Sequence, residues 1–100
     1  MAYLVVLSEQ AEAKLRQVYV RDRLRWEDIQ KALAISPHGS DEGGTVRCMQ
    51  LNDHVRLCRF FTSSFPFVVM YTIEELAQSG SGVVVVRRFV ERRPPQPLQS

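Results

Sequence analysis

The pattern of apolar residues is strongest in two runs near the C-terminal end of the chain. Phe67 to Ile73 is almost wholly apolar, and a second run opens with four valines, Val83 to Val86. Valine, phenylalanine and tyrosine suit a pleated, packed surface, and short runs of this kind are typical of strands buried on both faces. The two runs therefore predict the central strands of a sheet, joined by a turn or loop over Glu74 to Gly82.

The N-terminal half predicts one strand followed by a pair of helices. Ala2 to Leu7 is a short apolar strand, and Ser8 is a good N-cap with Glu9 and Glu12 in the first helical turn behind it. The apolar face of this first helix, which we expect to run to about Arg21, consists of Ala11, Leu15, Val18 and Tyr19. A second apolar stripe, ending before Ser36 and Pro37, consists of Trp26, Ile29, Ala32 and Leu33. We expect Trp26 and Tyr19 to seal the helical hairpin onto the sheet.

The middle of the chain predicts a mobile loop and then a β-hairpin. The loop is His38 to Gly44, and the two strands, Thr45 to Leu51 and His54 to Phe61, flank a tight turn at Asn52 and Asp53. The order strand, helix, helix and four strands predicts an α+β fold, with a helical hairpin packed on one face of a small antiparallel β-sheet. We expect one domain over residues 1–95 and a short polar tail over 96–100.

The two cysteines bear on the register of this hairpin. If Asn52 and Asp53 form a two-residue turn, Cys48 faces Leu57 and Cys58 faces Arg47. The two thiols would then point to opposite faces of the sheet, and a disulfide could not form. We therefore expect both cysteines to be free.

Charge is distributed unevenly along the 100 residues, although the net charge is only +2. Up to Gly44 the chain has six Lys or Arg against seven Asp or Glu, and from Thr45 onward it has seven against four. All seven of the later basic residues are arginines, which favour planar contacts with phosphate or carboxylate groups. This asymmetry points to an anionic partner.

Several classes of protein are not supported by the sequence. The N-terminus lacks the positive segment of a signal peptide, and no stretch approaches the roughly 20 apolar residues of a membrane span. Two cysteines and two histidines are too scattered for a zinc site, and the glycines lack the setting of a phosphate loop. We therefore expect a cytoplasmic protein with no metal, no small-molecule cofactor and no contact with membranes.

The order of these elements and motifs resembles the RelE/ParE toxins of bacterial type II toxin–antitoxin pairs. The similarity spans Tyr3 to Pro95, and the residues that carry it are Ser8, Ala11, Leu15, Arg59, Phe65-Pro66-Phe67, Tyr71, Val83 to Val86, Arg92-Arg93 and Pro95. The resemblance implies a growth inhibitor, associated with plasmid stabilisation, that a cognate antitoxin neutralises. One branch of the family cleaves messenger RNA on the ribosome, and another inhibits DNA gyrase.

The resemblance also suggests functional residues. Arg92 matches a basic residue at the end of the last strand, and Arg59 matches another on the third strand. The candidate catalytic residues are Arg59, Arg92 and Glu91, and the candidate target-binding residues are Arg59, Tyr71, Arg87, Arg88, Arg92 and Arg93. The nuclease set is incomplete, because the family's usual arginine and histidine are replaced by Val68 and Val90, and no tyrosine follows Arg92.

Each candidate also has a purely structural interpretation. Arg87 and Arg88 should lie on opposite faces of a regular strand, so at most one of them would meet a given ligand. Tyr71 is more often a core residue than a ligand, and His54 and His38 are more often inert surface residues.

Three hypotheses remain open at this point. The one we favour is a toxin that binds a macromolecular target of the gyrase type. The second is a ribosome-dependent endoribonuclease. The third is a non-toxic relative that only binds its antitoxin.

Overall fold

The computed structural model describes residues 3–39, 44–75 and 82–92, and it arranges them as two helices and five strands. The elements, in chain order, are β1 (Leu4–Leu7), α1 (Glu9–Leu15), α2 (Val20–Ile35), β2 (Thr45–Gln50), β3 (Val55–Phe61), β4 (Phe67–Glu75) and β5 (Gly82–Glu91). Arg93, the 96–100 tail, residues 40–43 of the loop after α2 and residues 76–81 between β4 and β5 lie outside the described residues.

All five strands join one sheet in the order β1-β5-β4-β3-β2. Strands β2 to β5 pair antiparallel with their neighbours, as the sequence predicted, and the α+β prediction is confirmed. The sheet is mixed, however, because β1 pairs with β5 in parallel. In the sequence, two helices separate β1 from the other four strands. The chain can therefore return to the sheet in either direction, and the local sequence does not determine which strand pairs with β1.

The N-terminus of α1 has a side-chain cap, whereas that of α2 does not. The Ser8 Oγ accepts a hydrogen bond from the Ala11 N–H at 3.1 Å, which confirms Ser8 as the N-cap of α1. The same hydroxyl donates to the Arg87 carbonyl at 2.7 Å and so ties α1 to β5. The N-cap of α2 is Tyr19, whose side chain makes no capping hydrogen bond.

The first helix is shorter than we expected. It ends at Leu15 rather than near Arg21, because the chain turns at Arg16 to place Val18 against the core. Tyr19 is consequently 74% exposed and does not seal the hairpin, which corrects our expectation for this residue. Trp26 does seal it: the ring is 2% exposed and lies 5.0 Å from the Phe89 ring, edge to face.

The hairpin between β2 and β3 also differs from the prediction. Asn52 Oδ1 accepts hydrogen bonds from the N–H groups of His54, at 2.8 Å, and Val55, at 3.0 Å, so the turn takes one residue more than a two-residue hairpin. This extra residue moves the register by one position and places Cys48 opposite Cys58, with their Cα atoms 4.0 Å apart. The two cysteines form a disulfide, so the expectation of free thiols on opposite faces was wrong.

We expect this disulfide to stabilise the fold measurably. It closes a loop of 10 residues, for which the loss of chain entropy in the unfolded state corresponds to about 2–3 kcal/mol. Cys48→Ser should therefore lower the free energy of unfolding by that amount in urea titrations without reductant. With dithiothreitol present, the wild type and the variant should unfold at the same urea concentration. A wild-type midpoint that is insensitive to reductant would contradict this assignment.

Candidate functional site

The helices cover one face of the sheet and leave the other face uncovered. Side chains that point towards the helices, such as Val69, Tyr71 and Val86, are fully buried. We call the opposite side the open face. Its apolar members, identified by alternation from the buried residues, are Leu4, Val6, Met49, Val55, Leu57, Phe61, Val68, Met70, Val83, Val85 and Val90. A broad apolar surface of this kind marks an interaction site more often than a free surface.

Three arginines lie in one row across the open face. Arg47 on β2 pairs with Arg59 on β3, Arg59 pairs with Met70 on β4, and Met70 pairs with Arg88 on β5. Neighbouring strands are about 4.8 Å apart, so the backbone positions that carry these side chains follow one another at that spacing. Met70 lies between the second and third arginine. We call Arg47, Arg59 and Arg88 the arginine row.

The arginine row is a concentration of unneutralised positive charge. All three side chains are exposed, and none forms an ion pair with any carboxylate in the part of the chain that the structure describes. Arg47 and Arg59 are directly opposite each other on neighbouring strands. Like charges in such positions destabilise a sheet. A local arrangement that opposes stability is expected where the residues serve a function.

A β-bulge brings a fourth arginine to the same face. The β4–β5 register shifts between Met70 and Tyr71, where Met70 pairs with Arg88 but Tyr71 pairs with Val86, so Arg87 is the extra residue. Its Nε donates to the Thr72 Oγ1 at 3.3 Å, and Thr72 alternates onto the open face. Arg87 and Arg88 therefore share one face, which corrects our expectation that a regular strand would separate them.

The structure separates the remaining candidates from the arginine row. Glu91 pairs with Phe67, a core residue, and so belongs to the helix side at the end of β5. Arg92 follows it, and its Nη1 donates to the Thr62 carbonyl at 2.8 Å while its backbone N–H donates to that of Pro66 at 2.9 Å. The two residues thus lie at one end of the sheet.

Tyr71 belongs to the core. Its side chain is fully buried, and its hydroxyl donates to the Pro37 carbonyl at 2.7 Å, which joins β4 to the end of α2. Burial raises the pKa of this phenol far above its ordinary value near 10. The residue is therefore not available to bind a target from this position, and the structure supports the core interpretation over our assignment of Tyr71 as a target-binding residue.

Comparison with solved structures identifies the fold. The chain superposes on the crystal structure of an archaeal RelE–RelB complex from Pyrococcus horikoshii OT3 with a TM-score of 0.74. The fold is that of a RelE toxin. The match covers 92% of this chain and 97% of the other, at 17% sequence identity. No protein-family model matches the sequence, and comparison with curated proteins finds no similar chain.

The RelE-like fold explains why the motifs of the sequence lie where they do. Phe65 and Phe67 enter the aromatic core with Trp26 and Phe89, so the motif that carried the resemblance is a packing motif. The residue that sequence reasoning missed is Arg47. A three-residue hairpin loop would have predicted its position opposite Arg59, but Asn52-Asp53 indicated a shorter turn.

A separate polar cluster lies where α2 meets the end of β4. His38 Nε2 lies 2.5 Å from Glu75 Oε2, to which the Tyr3 hydroxyl donates at 3.4 Å, while Arg56 Nη1 is 3.5 Å from His38 Nδ1. Partial burial and the Glu75 carboxylate raise the pKa of Tyr3. These groups partner one another, so the cluster joins the residue before β1 and the segment after α2 to β3 and β4. His54 lies in the exposed hairpin turn.

The described residues contain neither a metal-binding group of side chains nor a membrane-spanning helix. Among the described residues, no three His, Cys, Asp or Glu side chains are grouped so that they could hold a metal ion. In the same residues, no helix is long and apolar enough to cross a membrane.

Tyr71→Phe tests the structural role of this phenol. The substitution leaves the Pro37 carbonyl without a donor, and we expect the free energy of unfolding to fall by about 1–3 kcal/mol in urea titrations at neutral pH. Because the folded-state pKa is raised, wild-type stability should decline as pH rises above about 10, where the unfolded phenol loses its proton first. The variant should lack this part of the decline.

Tyr19→Phe, at an exposed ring, is the matched control. Unchanged stability of Tyr71→Phe would contradict the structural role assigned to this hydroxyl.

Proposed function

We propose that this protein is the toxin of a type II toxin–antitoxin pair and that it acts as a ribosome-dependent endoribonuclease of the RelE type. The open face would receive messenger RNA, and the arginine row would hold the phosphate at which the strand is cut. A cognate antitoxin would keep the protein inactive. Such a protein would work in the cytoplasm, where its substrate is.

The observation that carries the proposal is the arginine row on an uncovered face of a RelE-like fold. Guanidinium groups are planar forks of donors that match phosphate oxygens, and they remain protonated at any physiological pH. Arg87 adds a fourth guanidinium, whose Nε is held by Thr72. The surrounding apolar side chains, including Met70 and Val85, supply surface against which bases can pack.

The chemistry that the row supports is electrostatic. Cleavage by the neighbouring 2′-hydroxyl passes through a pentacoordinate phosphate with additional negative charge, and fixed cations stabilise that state more than the ground state. The attack forms a bond between the 2′-oxygen and phosphorus and breaks the bond between phosphorus and the 5′-oxygen. The row supplies no proton acceptor, because arginine does not lose its proton, so water would take the proton of the 2′-hydroxyl and supply one to the departing 5′-oxygen. Dependence on the ribosome is consistent with such a site, since a bound ribosome would contribute the positioning of the substrate.

The antitoxin part of the proposal rests on the fold and on the chemistry of the open face. The similar archaeal protein was crystallised as a RelE–RelB complex. In this chain, the open face combines a broad apolar surface with four arginines, so an amphipathic segment that carries acidic residues would complement it. We propose that such a segment covers the arginine row and thereby blocks access of RNA.

The gyrase-type target that the sequence favoured is the competing hypothesis. A basic, apolar face could also bind a protein, but the RelE-like neighbour favours RNA as the target. The two hypotheses differ in which macromolecular synthesis stops first, so one experiment separates them.

We expect Arg59→Ala and Arg88→Ala each to slow messenger RNA cleavage by about 10²–10³-fold, the usual effect of removing one charge-stabilising donor. The protein would be induced alone in a bacterial host, with incorporation of labelled methionine and thymidine followed together and cleaved 5′ ends mapped by primer extension. Arg16→Ala is the control, because this arginine is exposed at the C-cap of α1 and its Nη2 is 3.8 Å from Glu12 Oε1. It should remain as toxic as the wild type.

The outcomes separate the three hypotheses. If methionine incorporation falls first and both row variants abolish the fall, the nuclease proposal is supported. A prior fall in thymidine incorporation would instead support a gyrase-type target. Unimpaired growth with the wild-type protein would leave antitoxin binding as the function of the fold.

A further inference from the structure

A groove lies at the end of the sheet, outside the arginine row. It has a volume of about 1150 Å³ and runs between the α1–α2 connection, the β3–β4 turn and the end of β5. Sites for drug-sized ligands span roughly 300–1,000 Å³, so the groove has room for a segment of a polymer.

The groove is lined by an excess of positive charge. Four cationic side chains face two carboxylates, Asp22 and Glu91, and the cations are Lys14, Arg21, Arg25 and Arg92. Lys14 and Arg92 are held by neutral groups: the Lys14 Nζ lies 5.4 Å from the Phe67 ring centroid, and the Arg92 Nη1 donates to the Thr62 carbonyl. Neither forms an ion pair with another described residue, so their charge remains available to an anionic ligand.

An exposed aromatic ring stands in the same groove. Tyr19 is 74% exposed, and the Arg21 guanidinium carbon lies 5.7 Å from its ring centroid. This residue is the N-cap of α2, where Ser, Thr, Asp or Asn would stabilise the helix by about 1 kcal/mol through a capping hydrogen bond that Tyr19 does not make. A tyrosine that neither caps the helix nor enters the core is free to contact a ligand.

We propose that this groove binds the single-stranded RNA that flanks the segment on the arginine row, with one base stacked on Tyr19 and phosphates held by Lys14 and Arg92. The inference rests on the proposed function and extends it to a second contact area. By alternation from Val90, the Arg92 side chain starts on the open face, and it also lines the groove, so it connects the two areas.

The groove fits RNA better than it fits an acidic peptide. Cations interleaved with an exposed aromatic ring are the pattern by which proteins hold single strands, since every base has a face that can stack. A peptide would also need open apolar pockets for its side chains. The large apolar residues of the groove floor, Phe65 and Phe67, are 1% and 7% exposed and are already packed in the core.

The test compares oligonucleotides of two lengths. Fluorescein-labelled, 2′-O-methylated strands of about 4 and about 12 nucleotides, which cannot be cleaved by 2′-hydroxyl attack, would be titrated with the full chain and followed by fluorescence anisotropy. Tyr19→Ala should weaken binding of the longer strand by about 5- to 100-fold and leave the shorter strand unaffected. Tyr19→Phe, which keeps the ring, should bind both strands like the wild type.

Charge variants supply an independent readout. Lys14→Gln should reduce the slope of log affinity against log salt by about 0.7 for the longer strand, as expected for the loss of one phosphate contact. Lys31→Gln, at an exposed cation of α2 outside the groove, should leave the slope unchanged. Tyr19 and Lys31 are exposed, and the fluorescence of buried Trp26 would verify that each variant is folded.

The outcomes distinguish failure of this inference from failure of the proposed function. If the wild type binds neither strand, this inference is overturned, whereas the proposed function is judged by the induction experiment with Arg59→Ala and Arg88→Ala. If the wild type binds both strands and Tyr19→Ala binds the longer one equally well, the groove is not an RNA site, and the proposed function stands. If Tyr19→Ala keeps its affinity for RNA but loses affinity for the antitoxin, the groove is a protein-docking surface, and the inference is overturned.

Discussion

The antiparallel pairing of β4 with β5 is the interaction on which the rest of the structure depends. These are the two longest strands of the sheet, and they lie next to each other at its centre. Their register directs Val84, Val86 and Phe89 towards the helices, where burial of apolar surface stabilises the fold. The bulge at Arg87 in this same pair sets which arginines reach the open face. One strand pair therefore determines both the core and the candidate site.

The two faces of the sheet differ in how well their side chains are paired and packed. On the helix side, rings such as Trp26 and Phe89 pack edge to face, and the fully buried phenol of Tyr71 has a hydrogen-bond partner. On the open face, Arg47 stands opposite Arg59, and neither has a carboxylate partner among the described residues. The first arrangement stabilises the protein by itself, whereas like charges that face each other across neighbouring strands oppose stability.

Strand β2 is the element whose attachment is most dependent on one neighbour. It lies at the edge of the sheet and pairs only with β3, and most of its side chains are exposed. The Cys48–Cys58 bond links the two strands one residue away from the Arg47–Arg59 pair. When this bond is reduced, the hairpin relies on its backbone hydrogen bonds and on Val46, which packs against the core.

The sequence by itself determined the kind and order of the elements. Apolar patterns in the sequence indicate which positions are buried, because each side chain must suit its own surroundings. Examples are the run Val83 to Val86 and the stripe formed by Trp26, Ile29 and Leu33. Ser8 likewise identified the start of α1, since a cap acts on the adjacent backbone. The resemblance to RelE/ParE toxins, and with it the RelE-like fold, was accessible from the same local patterns.

Only the tertiary structure decided the geometry of the candidate site. Whether Arg87 and Arg88 share a face depends on one extra residue in a strand pair, and whether Cys48 meets Cys58 depends on one extra residue in a turn. Side chains alternate with a period of two, so each such insertion reverses the face of every residue beyond it. The parallel partner of β1 and the arginine row are likewise pairings between distant segments. Local propensity carries no information about such pairings, because they are settled by the packing of the whole sheet.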